Sequence, residues 1–140
     1  MNLALVAGEI DARLKKLPRL VTTYLGQGIK SVTTPCAVTP LPDINYQQAY
    51  ASGMSRVPDW DIAILAGKID DSNAFQRLGE FASTTGPNSV LAALQAPAGP
   101  IFSAYTACDF VVVKSVTFDL ITWQDQDFQG ALFTIDVVGR

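Results

Sequence analysis

Histidine does not occur among the 140 residues. Its absence removes the commonest general base, and with it the serine–histidine triads and most catalytic zinc arrangements. Cysteine is scarce: Cys36 and Cys108 stand alone without CxxC spacing and read as buried free thiols, a disulfide being the alternative. Cys36 also lacks the histidine partner that a thiolate nucleophile needs. Charged residues make up only 16%, against about a quarter in an ordinary soluble domain. The net charge is −3 and the ten basic residues are scattered, so the positive face of a sequence-specific DNA binder is missing. No apolar run approaches the roughly 18 residues of a membrane span. Met1-Asn2-Leu3 carries no basic region, and Glu9 and Asp11 interrupt the apolar stretch that follows, so no secretion signal is expected.

What is present is apolar: 49% of the residues, in a length that suits one domain over 1–140. Either the core is large for the size, or part of the surface is covered by a partner. Along residues 3–17, Leu3, Val6, Ile10, Leu14 and Leu17 recur at helical spacing, while Glu9, Asp11, Arg13, Lys15 and Lys16 fill most of the other positions. An amphipathic helix packed on a sheet is expected, closed by Pro18.

Residues 20–24 are rich in β-branched side chains and predict a strand, broken at Gly26-Gln27-Gly28. Pro35, Pro40 and Pro42 bracket Cys36-Ala37-Val38, which leaves room for a short strand or an edge segment. Ile44, Tyr46, Gln48 and Tyr50 alternate before Ala51-Ser52-Gly53, and the chain returns through Arg56, Val57 and Pro58, predicting a long hairpin. Its tip carries Tyr50, Met54 and Arg56, residue types enriched at protein contacts.

The stretch 60–94 is the most informative. Trp60, Ile62, Ile64 and Ala66 alternate as a half-buried strand. Asp70-Asp71-Ser72 can accept the free N–H groups of a helix that presents Phe75, Leu78, Phe81 and Ala82, and Thr84-Thr85-Gly86-Pro87 stops it. Asn88-Ser89 then caps a short helix with Val90, Leu91 and Leu94, ending before Pro97. Ala98-Gly99-Pro100 is a turn. Beyond it Phe110 to Val113, Val116, Phe118 and Leu120 predict one strand, and Ala131, Phe133, Ile135 and Val137 another, paired as a hairpin around the polar turn 124–127. Short connections between strands imply an α+β layer: a mainly antiparallel sheet with the N-terminal helix and the central helix pair on one face.

Paired carboxylates at Asp59 and Asp61, Asp70 and Asp71, and Asp125 and Asp127 are the remaining candidates for chemistry. A strand's solvent side, a helix start and a turn explain them more cheaply. Asp125-Gln126-Asp127 lacks the closing glutamate of a calcium loop, and Gly26-Gln27-Gly28 lacks the rest of a phosphate cradle. No catalytic, cofactor or metal residue is assigned.

The strand followed by Gly67-Lys68-Ile69-Asp70-Asp71, a helix, Thr85-Gly86-Pro87-Asn88-Ser89-Val90 and Ala92-Ala93-Leu94 resembles the small head-to-tail connector proteins of long-tailed bacteriophages, especially of actinobacterial hosts, and among them the tail terminators. The resemblance covers most of the chain. It implies a small sheet with helices on one side and a structural rather than enzymatic role: a ring, of six subunits in that family, that seats on the tail tube, stops its growth and docks to the neck of the head. The implied partners are the chain itself, the tail-tube protein and a head-to-tail stopper or other neck protein, with DNA passing through the lumen unheld and no membrane involved. The implied location is the neck of the virion, and the host cytoplasm during assembly. Tyr46, Tyr50, Met54 and Arg56 are the expected interface residues. A head-to-tail stopper is the alternative within this class, and a monomeric ligand-binding module the alternative outside it.

Overall fold

The computed structural model describes residues 2–26, 31–44, 56–123 and 125–139. Helix α1 (Leu3–Leu14) leads into β1 (Thr22–Leu25) and β2 (Cys36–Thr39). Strand β3 (Arg56–Lys68), helices α2 (Ala74–Ala82) and α3 (Val90–Gln95), and strands β4 (Phe110–Trp123) and β5 (Gln126–Val138) complete the order. The five strands form one sheet ordered β1-β2-β3-β5-β4, antiparallel except for the β1·β2 pair. This is the expected α+β architecture, with an opening helix and further short helices.

Alternation makes the sheet two-sided. Trp60, Ile62 and Ile64 of β3 lie in register with Ile135, Phe133 and Ala131 of β5, and all six join Val6, Ile10, Leu14, Phe81 and Leu94 of the helices in the main core. Trp60 is fully buried, and its indole N–H reaches the carbonyl of Pro40 at 2.8 Å. On the opposite face Cys36, Leu65 and Phe128 form a smaller cluster, covered by Tyr24, Val32, Ile121 and Trp123. Strand β3 is therefore buried on both sides through its middle, not half-buried as its alternation suggests.

Further expectations are refined or corrected. Strand β2 is the short strand expected and not an edge segment: it lies fully buried between β1 and β3, because Pro35 and Pro40 flank Cys36–Thr39 without removing any donor from it. Helix α1 ends at Leu14, ahead of Pro18, with Lys15 as its cap, and tightens into turns where Lys16 and Leu17 donate to the carbonyls of Arg13 and Leu14. Within α1, Asp11 and Arg13 are each only 5% exposed, although their positions flank the apolar stripe. Helix α2 begins at Ala74 with no side-chain bond from its cap residue Asn73, while Ser72 and both aspartates precede it in a turn. Phe75, expected on the packed face of α2, is 84% exposed.

The remaining caps follow the sequence closely. Ser89 accepts from the N–H of Ala92 at 3.1 Å and opens α3 as expected, and α3 ends before Pro97. Asn2 caps α1, its Oδ1 accepting from Ala4 and Leu5. The β4·β5 hairpin forms in register from Phe110↔Val138 to Trp123↔Gln126, so Gln126 and Asp127 belong to the strand rather than to the turn. The hairpin expected over residues 44–56 falls largely outside the described residues.

Candidate assembly surface

Among the described residues no group of three or more histidine, cysteine, aspartate or glutamate side chains could hold a metal ion. In each carboxylate pair at least one member has a structural partner. Asp71 accepts from the N–H of Asn73 and from Arg77 at 2.8 Å, bonds that together hold its carboxyl below the usual range. Asp61 accepts from the Thr134 hydroxyl at 2.7 Å, and Asp127 from the Thr122 hydroxyl at 2.6 Å. Asp125 takes a positive φ of 62° in the β4–β5 turn, a conformation aspartate tolerates.

Two hollows are present beside α1. The first, about 210 Å³, is lined by Glu9, Arg13, Lys16, Phe102, Tyr105 and Thr106. Two of its charged groups, Arg13 and Glu9, are already engaged, and Lys16 is exposed to solvent. Arg13 donates to the carbonyls of Ala93, Ala96 and Ser103 at 2.7–2.9 Å and lies 4.0 Å from the centroid of the Tyr105 ring. Glu9 accepts from the N–H groups of Thr106 and Ala107 and from the Thr106 hydroxyl. These bonds clamp the 96–107 connection onto α1. The second hollow, about 330 Å³, is mostly apolar, with Leu17, Pro18, Pro87, Ile101 and Phe102 in its wall. Ser89 is its only hydroxyl, and that group is spent on the Ser83 carbonyl and the α3 cap. Neither hollow offers the converging free polar groups of a ligand site.

The surface itself is more distinctive. On the open face of the sheet two β-bulges lie side by side, between Val57 and Trp60 in β3 and between Val113 and Ser115 in β4. They place Asp59, at φ +57°, and Lys114 on either side of Asp136 of β5. Arg56 Nη2 donates to Asp136 Oδ2 at 2.7 Å, the Asp59 N–H to Oδ1 at 3.1 Å, and Lys114 Nζ lies 3.5 Å from Oδ1. Burial pushes the Asp136 carboxyl upward, but these donors outweigh it and leave the group below its ordinary value. The Asp59 carboxylate in turn accepts from Lys114 at 2.7 Å and holds that ammonium above its usual pKa.

Apolar side chains are exposed at the far end of the helix-side face. Val116, Phe118 and Leu120 of β4 share one face, as expected, but Phe118 and Leu120 lie beyond the helix layer and are 53% and 51% exposed. Gln129, directly opposite Leu120, donates to the carbonyls of Lys68, Ile69 and Asp71 and so ties the turn bearing exposed Ile69 to that same end. Phe75 projects from the first turn of α2, just after it.

Of the expected interface residues, Arg56 is half exposed at the start of β3 and bound to Asp136. Tyr46, Tyr50 and Met54 lie outside the described residues. Sequence reasoning passed over Asp136, Asp59 and Lys114 as a group, because only the bulged register brings them together. Comparison with known protein families, curated proteins and solved structures finds no match to this chain.

Proposed function

We propose that this chain is a structural protein of a phage neck: a ring-forming tail terminator that caps the tail tube, halts its polymerisation and presents the joining surface for the head. The observation that carries this reading is the exposure of Ile69, Phe75, Phe118 and Leu120 at one end of a protein in which charge is sparse and every carboxylate pair already has a structural partner. Exposed apolar groups of this size gathered at one end mark a surface that another protein covers. In this reading Arg56, Tyr46, Tyr50 and Met54 contribute to lateral or axial contacts, and the net charge of −3 lets DNA pass the lumen without being gripped. The partners are copies of the same chain, the tail-tube protein and a stopper or other neck protein. The opening helix α1 favours a terminator over a β-barrel stopper.

The test is to add the purified chain to polymerising tail-tube protein and measure tube lengths by electron microscopy. Arrested tubes with density at one end support termination. Localisation in intact virions to the head side of the neck would transfer the role to a stopper.

A further inference from the structure

Strand β4 forms one edge of the sheet along 14 residues, and its outer hydrogen-bonding side faces no other strand among the described residues. Backbone N–H groups alternate in direction along a strand, and two of the outward ones are identified by their acceptors. The Val113 N–H donates to Gln95 Oε1 at 2.7 Å and the Leu120 N–H to Asp119 Oδ1 at 2.8 Å. Because Val113, Val116, Phe118 and Leu120 share the helix-side face across the bulge, Val116 and Phe118 turn their N–H groups outward as well. Among the described residues, side chains thus occupy the edge at Val113 and Leu120 and leave a short open window at 116–118. A long edge with exposed apolar side chains and few charges is a template for another strand.

We infer that this window pairs with the same window of a second copy, antiparallel and centred on Thr117. In that register Val116 lies opposite Phe118 of the second copy, and each of these residues donates its N–H to the carbonyl of the other, so every open amide finds an acceptor without displacing Gln95 or Asp119. Thr117 lies opposite Thr117 at the two-fold axis, a favourable cross-strand pair. Asp119 lies opposite Ser115, whose hydroxyl can donate to it, and no like charges face each other. Centring on Asp119 would instead oppose two carboxylates. Centring on Phe118 would require Leu120 to leave its Asp119 acceptor. The half-exposed Phe118 ring, opposite Ala131 within its own chain, gains Val116 of the second copy as a neighbour. An isologous contact of this kind differs from the head-to-tail contact that closes a ring, and the inference does not rest on the proposed function.

Charge substitutions at the axis test it. By sedimentation equilibrium the full chain is expected to form dimers, and Thr117→Glu and Thr117→Lys each to weaken them about tenfold or more, since each sets like charges face to face. Mixing the two variants should restore a heterodimer. Oxidised Thr117→Cys should cross-link to itself, whereas Ser115→Cys and Asp119→Cys should cross-link to each other. Thr117 is exposed on the strand, so circular dichroism should show all variants folded. A wild-type chain that stays monomeric up to its solubility limit, or oligomers unaffected by both charged variants, would overturn the inference. So would a Thr117→Cys chain that does not cross-link.

Discussion

Asp59 and Lys114 lie in bulges on two different strands, and their side chains meet at 2.7 Å beside the carboxylate of Asp136, which lies on the strand between them. The Asp59–Lys114 pair is solvent-exposed and contributes little by itself. The energetic centre is Asp136, mostly buried and bound by Arg56 and by the Asp59 amide. The bulges therefore fix the geometry, and Asp136 holds it.

Asp136→Asn removes the charge that these donors require. It is expected to lower stability by about 1–3 kcal/mol in urea titrations at neutral pH, the range for a compromised buried hydrogen-bonded group.

Acid should have a related effect. Burial works against the charged forms of Asp136 and Glu9, yet their hydrogen bonds leave both carboxyls below the ordinary values of 3.8 and 4.5. A group with a depressed folded pKa contributes stability above its unfolded pKa and loses it as pH falls through the folded one. Urea midpoints should therefore hold steady from neutral pH to about 5 and then decline, with a shallower decline in Asp136→Asn.

Arg13 joins α1 to α3 through the Ala93 carbonyl and to the 96–105 connection through the carbonyls of Ala96 and Ser103 and the faces of Phe102 and Tyr105. Arg13→Ala should cost about 3 kcal/mol or more, because buried carbonyls lose their donors. Arg13→Lys should rescue only part of this, since an ammonium does not reproduce the planar fork. Thermal unfolding of the three proteins measures both steps.

Trp60, Ile62 and Ile64 were legible because a period of two needs only local sequence, and so was the Ser89 cap. Arg13 was not. Its acceptors at Ala93, Ala96 and Ser103 lie 80 to 90 residues away, so a charged residue at the flank of a helical stripe reads as solvated. The prolines around Cys36–Thr39 left a short strand and an edge segment both open, and only the parallel cover by β1 makes that short strand interior. The exposure of Phe118 and Leu120 depends on how far the helix layer extends over the sheet, which alternation along β4 does not encode. Arg56 was singled out by residue type as a contact residue, but its ion pair with Asp136 was not legible. Asp59, Lys114 and Asp136 meet through bulges whose register no local pattern announces.

Gly130 marks a close approach between strands. A Cβ there would lie 2.8 Å from the Ile64 carbonyl oxygen and 2.5 Å from Ile121 Cδ1. Gly130→Ala is expected to destabilise by about 1–3 kcal/mol, measured as a lowered urea midpoint. Ile121→Val should relieve part of the clash in the double variant.

The two thiols should be silent in the native protein. Both are buried, and burial pushes the Cys36 thiol up to about 12. At neutral pH a thiol-reactive chromophore should label neither cysteine until denaturant unfolds the chain, when both react.

Tube capping tests the proposed function most directly. Tail-tube protein polymerised with the wild-type chain should give tubes of arrested length. Phe75→Ser, which removes an exposed ring and should change stability by no more than about 0.5 kcal/mol, should weaken the arrest. Tubes that grow to the same unlimited length with and without the wild-type chain would contradict it.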